Sequence, residues 1–475
     1  MSPTSQFMRR SSSAIALAAF VTVAAASDDD RTSTTLIVEN LAAISEAGRA
    51  FVEPFVVTDP TNGNRLLVTV SQVEPTLGVI PRAFLSDDGG LTWRPSELAD
   101  LRAAVAAGRL NGFEDMWAAI GARGTMYIST LGIADPARAK REAAAWSTMP
   151  VLVLRSENSG ARWSLPTVIR TRSSDAPKMA VWQDSVVVVA AQLNGGDSVA
   201  RVPNEVSEYI AVYRSTDGAR TFDQPRFLAP DDLGHNPLNP LFLRDGTLLV
   251  GWMDHPHWSQ HGPEQSTTDS RIFVARSTDL GRTFAIPHVV ADVQRSGFPA
   301  VLRMILDESP SSSHRGRVYV VWNGGHDVHS DVSIAHSDDG GKHWSAPRHV
   351  TSSGADVFTA ATTNRDGALA LVWGHHETDA TATPCYTLYV AASTNGGDSF
   401  TSPKPLTDAM ICPDVPGNRG IVYPFFGRQD TVSSSWRHGG DYIGLAATAD
   451  GAFHPVWTDT RDGPFRVYTA RVRLQ

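Results

Sequence analysis

The sequence predicts an all-β fold assembled from repeated four-stranded units, and two observations support this interpretation. An eight-residue motif recurs along the chain, and extended apolar segments flank each copy. The clearest copy occupies residues 277–284 and reads S-x-D-x-G-x-T-aromatic. Residues 271–275 before it and 287–290 after it are strand-like. The motif is therefore interpreted as a turn between two strands.

Six copies of the motif occur at nearly regular spacing. Their first residues are 86, 156, 215, 277, 337 and 393, so that the intervals run from 56 to 70 residues. The chemistry suits a tight turn, because the Asp or Asn accepts hydrogen bonds from nearby backbone N–H groups and the Gly adopts dihedrals that other residues resist. Some copies depart from the pattern, with Ala219 in the Gly position of one copy and His343 and Arg162 in the Thr position of two others. The copy with Arg162, which also has Asn158 in the Asp position, is the weakest match. Such a period is typical of a repeat architecture.

This pattern resembles the Asp-box (BNR) repeat of the sialidase-like β-propeller superfamily, and the resemblance extends from about residue 35 to the end of the chain. It implies a β-propeller of four-stranded antiparallel blades. It also implies that each box lies between the third and fourth strands of a blade, away from the active face. The boxes are therefore expected to be structural, and the resemblance does not settle the chemistry.

The number of blades follows from what lies beyond the sixth box. Residues 441–447, 453–458 and 465–472 are typical of three further strands without a box, and residues 35–38 form a strand without a blade. We predict that the N-terminal strand completes a seventh blade and closes the ring, which removes the open sheet edges. Six blades, the usual number for sialidases, remain the alternative.

The N-terminal 26 residues are interpreted as a secretory signal peptide. Arg9 and Arg10 precede an apolar run over 14–26 that ends in small residues and is too short to span a membrane comfortably. Residues 27–475 are then one propeller domain, secreted or periplasmic. The formal charge of −9 and the lack of a basic run argue against nucleic-acid binding. Helical inserts are predicted at 96–108 and 135–146.

The two cysteines, Cys385 and Cys412, allow one disulfide in an exported protein. A bridge would fix the long segment after the sixth box, and two free thiols are the alternative. Neither cysteine has the spacing of a zinc site.

The candidate site lies where second strands end and inner strands begin, because the resemblance places both on one face of the propeller. Ionisable and aromatic residues concentrate there, and this combination suits a carbohydrate. Inner-strand starts supply Glu53, Asp115 and Lys178 among others. The candidate catalytic residues are Asp254, Glu377, Asp327, Glu114 and Tyr442. The candidate substrate-binding residues are His255, His257, Trp258, His326, His376, Asp441 and Arg461.

No cofactor is predicted. The histidines suggest either acid–base chemistry or a bound metal with carboxylate co-ligands, and the spacing of His255 and His257 is weak support for metal. No metal ligand is therefore assigned, and a structural calcium ion or a histidine-bound metal remains an alternative.

The leading functional hypothesis is a secreted carbohydrate-active enzyme, a glycoside hydrolase that uses a pair of carboxyl groups. The resemblance implies an exo-sialidase-like activity, with Tyr423 or Tyr442 as nucleophile and Glu114 or Glu377 as its base. The early Arg-Ile-Pro motif of sialidases is absent, because residues 80–82 carry these residue types in another order. The alternatives are a polysaccharide lyase and a non-catalytic propeller that binds a glycan or a protein. The expected partner is a glycan, and the sequence does not predict an oligomeric state.

Overall fold

The computed structural model describes residues 35–475 with gaps. The described segments are 35–107, 109–134, 149–169, 174–194, 207–231, 233–255, 268–296, 302–323, 331–376, 385–426 and 428–475. They form seven antiparallel blades, so the seven-bladed prediction is confirmed. None of the helices in these segments is long and apolar enough to cross a membrane.

Strand β1 (Leu36–Ala43) begins the described chain, and each following group of strands forms one blade from the inside outward. Blade one contains β2 (Ala50–Asp59), β3 (Asn62–Glu74), β4 (Gly78–Ser86) and β5 (Arg94–Ser96). Helix α1 (Ala99–Ala106) follows it, within the predicted helical insert. Blade two contains β6 (Leu110–Ile120), β7 (Met126–Ala134), β8 (Val151–Ser156) and β9 (Thr167–Ile169). Blade three contains β10 (Ser174–Trp182), β11 (Ser185–Asn194), β12 (Ser207–Ser215) and β13 (Arg226–Asp231).

The inner strand of blade four is in two pieces, and both pair with the second strand. This blade contains β14 (Gly234–Pro237), β15 (Leu241–Phe242), β16 (Leu248–His255), β17 (Thr268–Ser277) and β18 (His288–Ser296). Blade five contains β19 (Leu302–Leu306), β20 (Val318–Trp322), β21 (Ser333–Ser337) and β22 (Arg348–His349). Blade six contains β23 (Asp356–Thr363), β24 (Leu369–His376), β25 (Tyr386–Ser393) and β26 (Lys404–Pro405).

An insertion separates blades six and seven. It contains α2 (Pro416–Gly420), β27 (Val422–Phe425), β28 (Arg428–Thr431) and α3 (Val432–Ser435). Blade seven then consists of β29 (Gly444–Ala447), β30 (Phe453–Asp459), β31 (Arg466–Leu474) and the N-terminal strand β1. The predicted inner strand over 441–447 begins three residues later than expected, because left-handed glycines at 439 and 440 turn the chain before it.

The N-terminal strand closes the ring as predicted. Leu36 lies opposite Leu474 and Val38 opposite Val472 in an antiparallel ladder. The side chain of Arg473 donates to Glu39 Oε2 across this ladder at 2.9 Å. The inner strands of neighbouring blades contact each other all the way round, from β2 through β29 and back to β2. The inner strands therefore surround the axis of the propeller.

The six Asp boxes occupy the turns between third and fourth strands, as the resemblance implied. In the fourth blade, Ser277 Oγ accepts from the N–H of Gly281 at 2.8 Å, and Asp279 accepts from the N–H and the hydroxyl of Thr283 at 2.9 and 2.6 Å. The hydroxyl of Thr283 holds the pKa of Asp279 at about 2, against the opposing effect of partial burial. These turns are closed by hydrogen bonds within the box, so their role is structural.

Two of the departures from the motif keep the same geometry. Ala219 adopts the left-handed conformation of the Gly that it replaces, with φ of 62°, and its N–H donates to Ser215 Oγ at 2.9 Å. The imidazole Nδ1 of His343 lies 2.5 Å from Asp339 Oδ2, where Thr92, Thr221 and Thr283 of other boxes use a hydroxyl. The motif therefore tolerates substitutions that preserve its hydrogen bonds.

The predicted bridge between Cys385 and Cys412 is present. It joins the start of β25 to the segment that follows β26, beside backbone hydrogen bonds between Tyr386 and Ile411. The disulfide closes a loop with a sequence separation of 27 residues. It ties the connection between blades six and seven to blade six.

We expect the double variant Cys385→Ser/Cys412→Ser to lose about 3–4 kcal/mol of unfolding free energy, because a cross-link over a loop of this length restricts the unfolded chain. Urea unfolding of the parent and the variant, with and without dithiothreitol, measures this loss. The reductant should destabilise the parent to the level of the variant and leave the variant unchanged. Equal midpoints for oxidised parent and variant would contradict the prediction.

Candidate active site

Five acidic side chains gather at the beginning of the inner strands, around the axis of the ring. We call this group the axial carboxyl cluster, and its members are Glu53, Glu114, Asp115, Asp175 and Asp441. They come from blades one, two and three and from the segment before β29. Glu53 Oε1 accepts from the backbone N–H of Asp441 at 3.4 Å, and the side chains of Asp115 and Asp175 are hydrogen-bonded to each other. Distant parts of the sequence thus form one acidic group.

Bulges in the inner strands position several of these side chains. The pairing of β2 with β3 shifts between Val52 and Phe55, and the pairing of β6 with β7 shifts between Glu114 and Trp117. Within these bulges Glu53 and Asp115 have φ of 58° and 51°, in the left-handed region. A left-handed conformation is costly for residues other than Gly and is concentrated at functional sites.

Equivalent bulges lie in two further blades. Ala176 in β10 has φ of 49°, and its N–H donates to Asp115 Oδ2 at 3.3 Å. Phe358 in β23 has φ of 46° at the corresponding register shift. A bulge redirects side chains relative to the ladder. Because four inner strands carry such a bulge, all four redirect side chains near the start of the strand.

Three carboxyl groups of the cluster, those of Glu53, Glu114 and Asp115, have pKa values raised well above the usual range. Burial raises the pKa of Glu53 well above its usual range, and the charges of Asp115 and Asp441 raise it further. Burial and the neighbouring Asp115 raise the pKa of Glu114 well above its usual range. Crowded like charges disfavour ionisation because each negative charge makes the next more costly. The cluster therefore holds proton donors.

Aromatic and basic side chains form a floor beneath the cluster. The rings of Phe55 and Trp117 stack at 3.7 Å between centroids, and the guanidinium of Arg303 lies 4.9 Å from the centroid of Trp117. Arg303 is contributed by blade five and Trp117 by blade two, so this contact crosses the axis. The hydroxyl of Tyr442 donates to the carbonyl of Met116 at 3.2 Å, and also crosses between blades. Side chains from different blades therefore meet across the axis at this level.

The two buried cations of the floor are engaged with backbone carbonyls. Arg303 donates to the carbonyl groups of Leu302 and Ile443 at 3.2 and 3.4 Å. Lys178 donates to the carbonyl of Pro237. Burial, followed by the charge of Arg303, lowers the pKa of Lys178 to about 7, while burial lowers that of Arg303 to about 10.

The segment that carries Asp441 and Tyr442 depends on two glycines. Gly439 and Gly440 have φ of 80° and 113°. The carbonyl of Gly439 accepts from the N–H of Glu53 at 2.9 Å, and a Cβ at position 440 would lie 2.2 Å from Cγ of Glu53. The backbone thus approaches Glu53 so closely that only glycine fits, and this contact places Asp441 beside Glu53.

The structure brings three of the predicted site residues together, namely Glu114, Asp441 and Tyr442. Burial, followed by the charge of Glu53, raises the pKa of Tyr442 well above its usual value, so the phenol stays neutral. Sequence analysis had also noted Glu53, Asp115 and Lys178 at inner-strand starts. It missed Arg303 and also Asp175, which is the second residue of β10. A single basic residue within the apolar strand Leu302–Leu306 was the available signal for Arg303.

Three other predicted residues make separate contacts. Asp254 accepts from the backbone N–H of Arg271, and the guanidinium of Arg271 lies 3.4 Å from Asp254 Oδ2. Arg461 pairs with Asp459 and Asp408 at 2.9 and 2.8 Å.

His376 forms a buried pair with a histidine that sequence analysis did not select. Its Nε2 lies 3.0 Å from Nε2 of His438, and the two rings stack at 5.2 Å between centroids. The carbonyl of His438 accepts from the hydroxyl of Tyr386 at 2.8 Å, and Phe358 packs edge-on against the His438 ring. Because His438 precedes the two glycines, this pair anchors the segment that leads to Asp441.

The remaining predicted residues lie outside the described part of the chain. They are Glu377, Asp327, His257, Trp258 and His326, and for His255 only the backbone is described. Their predicted roles stay predictions. Within the described residues, no three acidic, imidazole or thiol groups converge on a point where a metal ion could be held.

A family model described as a BNR repeat-like domain matches residues 149–454, which is more than half of the chain. The protein belongs to this BNR repeat-like family. The match agrees with the six boxes and seven blades, so the resemblance to the Asp-box propellers of the sialidase-like superfamily is confirmed. No curated protein sequence gives a significant match.

Solved structures similar to this BNR repeat-like protein include several carbohydrate-active enzymes. An ulvan lyase of a polysaccharide lyase family aligns with a TM-score of 0.51 and 10% identity, over 90% of this chain and 95% of that chain. A Hadza microbial sialidase aligns at 0.47 and 12%, over 93% and 94%. An α-L-arabinofuranosidase from Fusarium graminearum aligns at 0.42 and 10%, over 76% and 93%. At such identities the similarity concerns the fold alone.

Proposed function

We propose that this protein is a glycoside hydrolase whose reaction takes place at the axial carboxyl cluster. The observation that carries the proposal is the group of five carboxyls above a closed aromatic floor, at the face where inner strands begin. Glycoside hydrolysis requires one protonated and one ionised carboxyl group near the scissile bond. Raised pKa values supply the first and neighbouring carboxylates supply the second.

Glu114 is the general acid in this proposal. The residue is partly exposed, and burial of its carboxyl group together with the charge of Asp115 keeps it protonated. Asp441, which lies near enough to raise the pKa of Glu114, is the second carboxyl group. In the reaction, Glu114 gives its proton to the glycosidic oxygen as the bond to the anomeric carbon breaks. Asp441 acts as base towards a water or as nucleophile, and water supplies the new hydroxyl.

Arginine contacts favour a substrate without a carboxylate over sialic acid. Arg303 is occupied by backbone carbonyls, and Arg461 is paired with two aspartates. Arg82 donates to Gln72 and to Glu46. A carboxylate bound beside five acidic groups would be repelled unless free arginines compensated the charge. The exo-sialidase-like specificity that the resemblance implied is therefore the less favoured form of this hypothesis.

The proposal includes export of the protein. The N-terminal 26 residues have the pattern of a signal peptide, so we propose that the mature chain acts on glycans outside the cytoplasm.

Mass spectrometry of products tests the proposed reaction. The mature protein is incubated with neutral, amino-sugar, sialylated and uronate-containing oligosaccharides. Products whose combined mass exceeds the substrate by one water support hydrolysis. Unsaturated products would replace this proposal with a lyase mechanism. Binding without any product would indicate a recognition module instead.

A further inference from the structure

We propose that the axial carboxyl cluster binds an ammonium group, so that the preferred substrate is a glycan with an unacetylated amino sugar, such as glucosamine or galactosamine. This inference rests on the proposed function, because it names the substrate class of the same site. Three observations support it: the balance of charge, an unpaired oxygen and the lack of a metal-coordinating group among the described acidic residues.

The charge balance of the site favours a cationic ligand. Five acidic side chains lie together, whereas the described segments place two basic side chains, Lys178 and Arg303, beside them. Lys178 and Arg303 direct their N–H groups at backbone carbonyls and lie against the ring of Trp117. They therefore leave much of the acidic character of the cluster uncompensated. A ligand that brings a positive charge permits more of the carboxyl groups to ionise and gains charge-assisted hydrogen bonds.

Glu53 provides an acceptor for such a ligand. Its side chain is 2% exposed, and within the described residues its Oε2 has no hydrogen-bond partner. The interactions of Glu53 with Asp115, Asp441 and Glu114 show that it faces the other acidic groups. An unpaired oxygen at this depth is costly, because buried polar atoms are usually hydrogen-bonded. An ammonium N–H satisfies that need.

The described acidic groups offer no coordination site for a divalent metal. Calcium requires six to eight oxygens at about 2.3–2.6 Å, and no three acidic groups in the described segments converge on one metal position. An ammonium donates three hydrogen bonds of about 2.7–2.9 Å in separate directions. It therefore does not need three carboxyl groups that converge on one point.

Binding to a variant that cannot turn over tests the inference directly. Isothermal titration of the Glu114→Gln protein at pH 7 uses short oligosaccharides of glucosamine and galactosamine and their N-acetylated counterparts. We expect at least tenfold tighter binding of the amino forms. Equal or tighter binding of the N-acetylated sugars, or no binding of the amino sugars, overturns the inference.

Glu53→Gln, placed in the same background, separates recognition from a general effect on the fold. The amide presents an N–H group where the ammonium needs an acceptor, so the preference for amino sugars should fall by at least tenfold. Glu157→Gln is the matched control, because Glu157 is exposed within the Asp box of blade two and pairs with Arg155 and Arg220. It should leave the preference unchanged. A Glu53→Gln protein that keeps the full preference, or calcium binding that displaces the amino sugars, contradicts the inference.

The results distinguish this inference from the proposed function. Hydrolysis of neutral glycans by the parent protein, without any preference for amino sugars, removes the inference and leaves the hydrolase proposal intact. Selective binding of amino sugars without hydrolysis of any glycan removes the hydrolase proposal and leaves the inference about ammonium binding intact.

Discussion

Replacing Glu114 by glutamine is expected to lower kcat on a hydrolysed glycan by about 10²–10⁴-fold, which is the usual contribution of a general acid. Glutamine keeps the size of the side chain and removes the proton that the leaving oxygen requires. Burial, followed by the charge of Asp115, raises the pKa of Glu114 well above its usual value, so Glu114 keeps its proton at a pH where a free carboxyl group would lose it. Steady-state kinetics of parent and variant on the same substrate measure the loss.

The pH profile adds a second measurement for Glu114. Because its pKa is raised, the acid form predominates below that pKa, and parent activity should fall as the pH rises through it. The variant lacks this group, so its residual activity should not show the same decline. Glu157→Gln makes the same chemical change at an exposed position and should retain parental kcat. A Glu114→Gln enzyme with near-parental kcat would remove Glu114 from the mechanism.

Replacing Gly440 by alanine is expected to cost about 2–4 kcal/mol of unfolding free energy and to lower kcat at least tenfold. The backbone there has φ of 113°, and the new Cβ would lie 2.2 Å from Cγ and 2.8 Å from the backbone N of Glu53. The expected cost combines an unfavourable conformation with overpacking. Relief requires that Glu53 and Asp441 separate, which disturbs the cluster.

Gly354 offers a matched control for this substitution. It also has a left-handed backbone, with φ of 66°, but a Cβ there would have no atom of the described residues, its chain neighbours aside, within 4 Å. Gly354→Ala should therefore cost only about 1–2 kcal/mol, the backbone contribution, with activity unchanged. Urea unfolding and kinetics of both variants separate the two effects. Similar losses for both proteins would show that the contact with Glu53 is unimportant.

The repeat architecture could be predicted because its determinants are local. Each Asp box is closed by bonds within eight residues, so that even Ala219 and His343 leave the pattern recognisable. The closing strand was predictable for another reason, since an unpaired strand at one end of the chain matched an incomplete blade at the other. This second inference required only sequence order and the need to pair strand edges.

The site was predicted in part, because its chemistry arises from contacts between distant segments. Glu114, Asp441 and Tyr442 could be selected from their positions at inner-strand starts. The raised pKa of Glu53 depends on residues from other blades, and nothing adjacent in the chain indicates it. In the sequence, Arg303 is a single basic residue of an apolar strand. Only the closed propeller shows that it packs against the indole of Trp117. The closed ring, more than any single motif, creates the cluster.

The pairing of β1 with β31 has a consequence for how the protein acquires its structure. Leu36 and Leu474 are joined across almost the whole chain, so this contact has a very long sequence separation. Contacts of this kind carry the largest loop-closure entropy and slow folding. The six earlier blades can each form from consecutive residues, whereas blade seven must wait until the last strand has been synthesised. We therefore expect ring closure to be the late, slow event of folding, and incomplete chains to expose an unpaired edge of blade seven.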